Sequence, residues 1–316
     1  MQMIRVNILN YKFTVAEKIT LNLLLSVLNI RIFVAGICLL MHSFIFAEEN
    51  TIHVNNGHQY QRIISAGGSI TEIAAHLGIT SKLIAVDSSS TYPDQVNKLP
   101  KIGYFRALNS EGVLALEPDL FVAARGAGPD KVLAQIENAG VPVVQFEQST
   151  YSLENWETLV SSMGAFFNRR NEATKLIKKT RNGIKTAKEA MHNNSKPIRV
   201  LALLNAGNRG FTVAGKNTVP DLLLKLIGVE NVAKDLDGYK PYDSESLASQ
   251  DIDLILAPNH TVDAMGGTDG ICGNASIKMA TMKTGCRVHV MHALLLLGFG
   301  ARLEQAATEI VAELAN

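Results

Sequence analysis

The stretch SEGVLALEPDLFVAA, residues 110–124, returns without a gap as SESLASQDIDLILAP, residues 244–258. Ser110 matches Ser244, Glu111 matches Glu245, Asp119 matches Asp253, Leu120 matches Leu254 and Ala123 matches Ala257. Each copy reads as a capped short helix running into a buried strand. Around both copies, short apolar runs alternate with helical patterns. RIISAGG reads as strand and turn, and SITEIAAHLGI as a helix with Ser69 as N-cap and Glu72 three residues on, a capping box. KLIAVD, DLFVAA and VPVVQF read as strands, with PDKVLAQIENAG as a helix between the last two. The second half resumes with IRVLALLN, TVPDLLLKLIG, DIDLILAP, RVHVM and a closing helix GARLEQAATEIVAELA. Such alternation implies parallel sheets covered on both faces. The expected fold class is α/β, with two similar lobes and mainly parallel sheets.

Between the halves, residues 152–194 contain no strand pattern. Apolar residues at helical spacing (Leu153, Trp156, Leu159, Val160, Met163, Phe166, Phe167) give way to a lysine-rich stretch. This predicts one linking helix of about 40 residues, roughly 60 Å long, bent near Asn168. The domain boundaries expected are 48–151 for the first lobe, 152–194 for the linking helix and 195–316 for the second lobe.

The N-terminal region is read separately. RIFVAGICLLMHSFIFAEEN, residues 31–50, has a basic residue, an apolar run of roughly 15 residues, and Ala47 before two glutamates. That is the build of a secretory signal cleaved after Ala47. The run falls short of the ~20 residues a membrane span needs. Ile37 ahead of Cys38 argues against a lipoprotein signal. Residues 1–30 are long and partly apolar for an n-region, and read as an upstream extension or an over-long start.

Export leaves Cys272 and Cys286 in the mature chain. In an oxidising compartment two cysteines suggest one disulfide, with two unpaired thiols as the alternative. A net charge of +1 makes no electrostatic case for nucleic acid. No GxSxG elbow, HExxH, P-loop or GxGxxG occurs. SAGGSITE offers a weak anion site at a helix N-terminus, although glycines in a strand-to-helix turn are more often structural. His289 and His292 are an i, i+3 pair with no further clustered ligand, an arrangement that is usually not a metal site. Two lobes, a rigid connection, export and no catalytic set together suggest a binding protein with an interlobe cleft.

KLPKIGYFRALNSEG, residues 98–112, is a loop that presents Tyr104, Phe105 and Arg106 in a row. With RIISAGGSITEIAAHLG, TVAGKNT, GYKPYDSESL, MGGTDG and ALLLLGFGARL, it resembles the periplasmic haem-binding proteins of bacterial ABC importers. The resemblance runs from about Arg62 to the C-terminus. It is more specific than a likeness to the wider group of vitamin B12 and ferric-siderophore binders. It implies a class III substrate-binding fold, with a single backbone helix joining the lobes and limited closure on binding. It implies a monomer that takes up ferric haem as cargo and delivers it to an ABC permease dimer, in the periplasm.

By the same resemblance, Tyr104 is the axial ligand of the haem iron. The chemistry agrees, since Fe(III) is a hard cation and a phenolate a hard anionic oxygen donor. A phenol ionises only near pH 10 in water, so bound iron must itself favour the phenolate. Arg106 either offsets phenolate charge or meets a propionate. Some members carry a second axial histidine after the first strand of the second lobe, but here that loop reads LLNAGNRG. His260 stands where other members have an arginine facing the tyrosine. It has three readings: distal ligand, hydrogen-bond partner of the phenolate, or solvated loop histidine. Glu111 and Glu245 are implied to dock on the two permease subunits. The alternatives are a corrinoid or ferric-siderophore binder, which a hemin absorbance spectrum separates, and an enzyme acting on haem or metal cofactors, which turnover would reveal.

Overall fold

The computed structural model describes residues 60–146, 150–192, 196–207 and 210–315. The expected signal and its cleavage after Ala47 lie outside the described residues. The first sheet comprises β1 (Ile63–Ala66), β2 (Leu83–Val86), β3 (Leu120–Ala124) and β4 (Val143–Phe146). All pair in parallel, in the order β2-β1-β3-β4. β1 and β3 are buried at every residue, as strands covered on both faces must be. Helices α1 (Gly68–His76), α2 (Ser110–Leu114) and α3 (Asp130–Asn138) lie between them in the chain.

The connecting stretch is two helices rather than one. α4 (Leu153–Phe166) and α5 (Arg170–Met191) are separated at Asn168, which has φ 54°. The Arg169 N–H donates to Gly164 O and the Asn168 N–H to Ala165 O at 3.2 Å. These bonds satisfy the last carbonyls of α4 with a left-handed residue, the pattern that ends a helix. α5 then folds back along α4. A Cβ on Gly164 would lie 2.4 Å from the Ala173 Cβ, and Arg181 pairs with Glu157. α5, 22 residues long, leads on towards the second half. α4 packs beside α1 and β4.

The second half contains β5 (Arg199–Gly207), β6 (Gly210–Ala214), β7 (Glu230–Asn231), β8 (Tyr239–Tyr242), β9 (Leu254–Pro258) and β10 (Val288–Met291). Their order is β10-β9-β5-β6-β8, with β7 also pairing β5. β7, β5, β9 and β10 are mutually parallel and reproduce β2, β1, β3 and β4. The antiparallel ribbon of β6 and β8 is an addition. The helices are α6 (Val219–Ile227), α7 (Ser244–Ala248), α8 (Asn259–Ala264), α9 (Gly267–Gly273), α10 (Ala275–Ala280), α11 (Ala293–Leu297) and α12 (Leu303–Ala315).

The repeat read from sequence carries the same hydrogen bonds in both halves. Asp119 Oδ1 accepts the Arg62 N–H at 3.0 Å, while its own N–H donates to Arg62 O at 2.9 Å. Asp253 Oδ2 accepts the Arg199 N–H at 2.7 Å, and its N–H donates to Arg199 O at 2.9 Å. The aspartates therefore fix β1 against β3 and β5 against β9. α2 and α7 are capped by the side chains of Asn109 and Asp243, one residue before the matched serines.

The expected capping box at Ser69 and Glu72 does not form. α1 begins at Gly68 with no side-chain cap, and Glu72 is 1% exposed. Its Oε1 accepts both the Nε–H (2.9 Å) and an NH2 donor of Arg302, and its Oε2 accepts the Ala301 N–H at 3.1 Å. Burial outweighs these partners and pushes the Glu72 carboxyl above its ordinary value. Arg302 also lies over the Tyr92 ring, 3.7 Å from its centroid. Trp156 Nε1–H donates to Gly300 O at 2.7 Å. The segment Phe299–Arg302 is thus held by both α1 and α4. A Cβ on Gly300 would meet Glu72 Oε2 at 2.1 Å, so a side chain there would have to displace the Glu72 carboxylate from its partners.

Cys272 and Cys286 are bonded, with Cα atoms 5.7 Å apart and 14 residues of separation. Thiol titration of the unfolded, unreduced chain lacking residues 1–47 should find no free thiol. Reduction should cost about 3 kcal/mol in the chain-entropy estimate for such a loop. Glu72→Gln leaves Arg302 buried without its counter-charge. Denaturant unfolding should show a loss of about 3–5 kcal/mol. The double change Glu72→Leu with Arg302→Met should lose less than the sum of its single changes.

Candidate functional site

The carboxyl ends of the parallel strands in both halves open on one cavity of about 600 Å³. This is where open α/β sheets place ligands. Gly67 follows β1, Ser88 and Ser89 lie just past β2, Arg125 follows β3, His260 lies just past β9 and His292 follows β10. Tyr104, Arg106 and His260, the three residues singled out from sequence as ligand contacts, all line this cavity.

Local hydrogen bonding explains how Tyr104 is presented. Residues 100–103 run beside β2: the Val86 N–H donates to Pro100 O (3.1 Å), the Ile102 N–H to Val86 O (3.1 Å) and the Ser88 N–H to Gly103 O (2.8 Å). Gly103 has φ 91°, a conformation that suits glycine and turns the chain into the cleft. A turn closes with the Ala107 N–H on Tyr104 O at 2.8 Å. Phe105, partly buried, packs against the core and anchors the loop. Its neighbours Tyr104 and Arg106 are left exposed, Tyr104 at 45%. The Tyr104 ring meets Phe105 edge-on at 4.9 Å, and the Arg106 guanidinium lies 4.9 Å from the Phe105 centroid.

The floor is polar but internally satisfied. The buried Asp87 accepts from Gly67 N–H (2.9 Å), Ser89 N–H (3.0 Å), Ser89 Oγ–H (2.6 Å) and Ser90 Oγ–H (2.6 Å). Ser89 Oγ in turn accepts the Gly68 N–H at 3.0 Å. Two of the amides that SAGGSITE was expected to offer an anion, those of Gly67 and Gly68, are therefore already used within the chain.

From the second half, His260 sits in the first turn of α8 rather than in an open loop, and it is exposed to the cleft. His292 caps α11, its Nδ1 accepting the Leu294 N–H at 3.3 Å. Burial, and then the charge of Arg302, hold the His292 ring below its ordinary value. His289 points elsewhere, with Nδ1 3.6 Å from Glu313 Oε2. Among the described residues there is no cluster of three His, Cys, Asp or Glu side chains fit for a metal ion. Sequence reading missed Arg125, Tyr151, Tyr239 and His292 as cleft residues. Tyr239 opens β8, and its hydroxyl is raised by desolvation and then by Tyr151, while the Val219 N–H and Arg106 act the other way. Arg125 and His292 stand directly after strands that were legible, and that position was the available signal. Phe299 and Leu294 supply apolar wall, with Tyr151 edge-on to Phe299 at 5.2 Å.

Glu111 and Glu245 lie in the first turns of α2 and α7, exposed and outside the cavity lining. Asn109 is beside the loop after β3, where the Leu108 N–H donates to Gly128 O at 2.9 Å. Asp243 follows β8, whose Tyr242 pairs with Phe211 beside the carboxyl end of β5. Both glutamates therefore stand at the carboxyl edges of their sheets.

The sequence profile of the family described as "Periplasmic binding protein" matches residues 63–285. The fold is similar to that of the periplasmic heme-binding protein RhuT from Roseiflexus sp. RS-1. The identity is 31% and the TM-score 0.71, over 80% of this chain and 97% of that one. It is similar also to the periplasmic heme-binding protein HutB of Vibrio cholerae, at 31% identity and TM-score 0.70, over 80% and 98%. The vitamin B12-binding protein of Vibrio campbellii (strain ATCC BAA-1116) is 29% identical over 207 residues, 65% of this chain and 74% of that protein. A two-sheet α/β architecture open at the carboxyl strand ends, with a profile match across most of its length, makes this chain a member of the periplasmic binding protein family.

Proposed function

We propose that this chain binds ferric haem in the cleft between its two halves and delivers it to an ABC permease, working in the periplasm after removal of its N-terminal signal. The observation that carries the reading is Tyr104, an exposed phenol on a loop fixed at both ends and aimed into the cavity. A hard anionic oxygen donor suits ferric iron. The apolar wall of Phe299 and Leu294 suits a flat macrocycle, and Arg106 is placed to meet phenolate or propionate charge. His260 is the candidate second ligand or hydrogen-bond partner of the Tyr104 phenolate. Likeness to the haem-binding proteins supports the same cargo. A corrinoid is the second reading, favoured by the likeness to the vitamin B12-binding relative.

Glu111 and Glu245 are proposed to dock on two equivalent permease subunits. Repeated carboxylates at equivalent edges suit a two-fold partner. A role confined to favouring the helix N-termini would contribute only about 0.3–1 kcal/mol each.

Mixing wild-type protein with hemin should give a ferric-tyrosinate charge-transfer spectrum. Tyr104→Ala should remove that band and weaken binding beyond the about 10–100-fold typical of losing an outer-shell partner. An unchanged spectrum would remove Tyr104 from the iron. Glu111→Ala with Glu245→Ala should leave hemin titrations and thermal unfolding near wild type, while transport by the reconstituted importer falls well below either single change. Wild-type transport by the double variant would end the docking role.

A further inference from the structure

Charge is unevenly placed on the surface. The chain as a whole balances 30 Lys and Arg against 29 Asp and Glu, whereas the 22 residues of α5 set seven cations against two glutamates. α5 buries Ala173, Leu176, Thr180, Ile184 and Ala187, a stripe at helical spacing. Lys175, Lys178 and Lys185 fall on the opposite side, with Arg170 and Lys188 along one flank, and all five are exposed. Lys179 pairs with Glu304 of α12 and Arg181 with Glu157 of α4, while Lys185 reaches Glu189 only at 3.8 Å. Among the described residues, Arg170, Lys175, Lys178 and Lys188 have no carboxylate partner. From Arg170 to Lys188 the cations run along about 27 Å of helix.

Like charges three residues apart, Lys175 with Lys178 and Lys185 with Lys188, repel along one helix face and detract from its stability. Glutamate is as good a helix former and would relieve that repulsion. A merely solvated face has no need of this one-sided pattern, whereas an anionic partner does. The character of the face selects the partner. No exposed residue of α5 is aromatic or a large aliphatic, and Asn171, Thr174 and Asn182 lie among the lysines. The core of a protein interface is enriched in aromatic residues and arginine and depleted in lysine. Lysine is a hydrated point charge on a flexible stem, which suits mobile phosphates that hold no fixed geometry. We infer that the outer face of α5 adsorbs on an anionic phospholipid bilayer, held by headgroup phosphates without insertion of apolar side chains. None of these residues lines the cleft, so cargo and lipid do not compete for them. The inference is independent of which cargo is bound. It adds to the delivery role proposed above a means of keeping the processed protein at the membrane that holds its permease, through contacts that salt weakens.

The test is cosedimentation of the protein, secreted and processed by expressing cells, with vesicles of phosphatidylcholine alone or of phosphatidylcholine and phosphatidylglycerol in equal parts. Wild type should pellet with the anionic vesicles and not with the neutral ones, and about 0.5 M salt should release it. Lys175→Gln with Lys178→Gln and Lys188→Gln keeps the helix propensity of α5 and should weaken partitioning by about 100-fold, at about fivefold per cation. Lys131→Gln with Lys216→Gln and Lys278→Gln removes the same charge from exposed positions elsewhere and should pellet as wild type does. Hemin titrations of both triple variants should match wild type, which separates this test from the haem reading. Equal losses of vesicle binding in the two triple variants would reduce the effect to net charge and overturn the role of α5. A wild type that stays in solution with anionic vesicles at low salt also overturns it, and binding to polyglutamate under those conditions would make the partner an acidic protein.

Discussion

The Glu72–Arg302 pair decides where the wall of the cleft stands. Glu72 belongs to the first helix of the first half, and Arg302 directly precedes the final helix of the second. A buried ion pair contributes little net stability, because desolvating two charges offsets most of their attraction. What it supplies is position. The carboxylate spends one oxygen on the guanidinium and the other on the Ala301 amide, so the backbone at 300–302 has one permitted path. Trp156 fixes the same path from α4 by donating to Gly300 O. Phe299 and Gly298, immediately upstream, then become cleft wall. A hydrophobic contact at this junction would tolerate sliding, and three directional bonds do not.

That rigidity suits the division of labour across the cleft. The first half supplies a phenol and two guanidinium groups from loops held by backbone hydrogen bonds. The second half supplies imidazoles and Tyr239 from helix starts and an edge strand. One side thus carries guanidinium groups and a phenol, and the other carries imidazoles and a further phenol. A flat, amphiphilic, negatively charged ligand would be met differently on its two faces, so its orientation is set by chemistry as well as by shape.

Much of the architecture was legible because it is written in local periodicity. Strands buried on both faces appear as unbroken apolar runs, and DLFVAA and DLILAP are of that kind. The gapless match of the two halves has a structural counterpart, since Asp119 and Asp253 make the same backbone bonds. Legibility failed where the deciding partner is distant in sequence. Glu72 sits three residues after a serine and imitates a capping box, but its partner lies 230 residues away. The break at Asn168 carries no glycine or proline, and an asparagine in the left-handed region ends α4 instead. The β6–β8 ribbon was hidden because YKPY contains a proline, tolerated since β8 is the edge of its sheet. At the site, a resemblance brought Tyr104, Arg106 and His260 forward. Arg125 and His292 escaped, although each stands directly after a strand that had been identified.

The ties between the halves, among them α5 and the Glu72 junction, bear on how far the cleft can move. Closure of a hinged binder repacks an interface around its ligand, and ligand binding must supply the free energy of that change. Here a large rotation would break a carboxylate–guanidinium pair in which both partners are at least nine-tenths buried. The preference is therefore for groups already in place: an exposed Tyr104, two guanidinium groups with no carboxylate partner among the described residues, and an apolar wall fixed from behind. Pre-positioning saves the ordering cost that flexible sites meet on binding. It also leaves the mouth open, with Glu111 and Glu245 on either half at the carboxyl edges. Under the docking proposed above, a partner that grips both edges would meet a mouth already shaped by these fixed contacts.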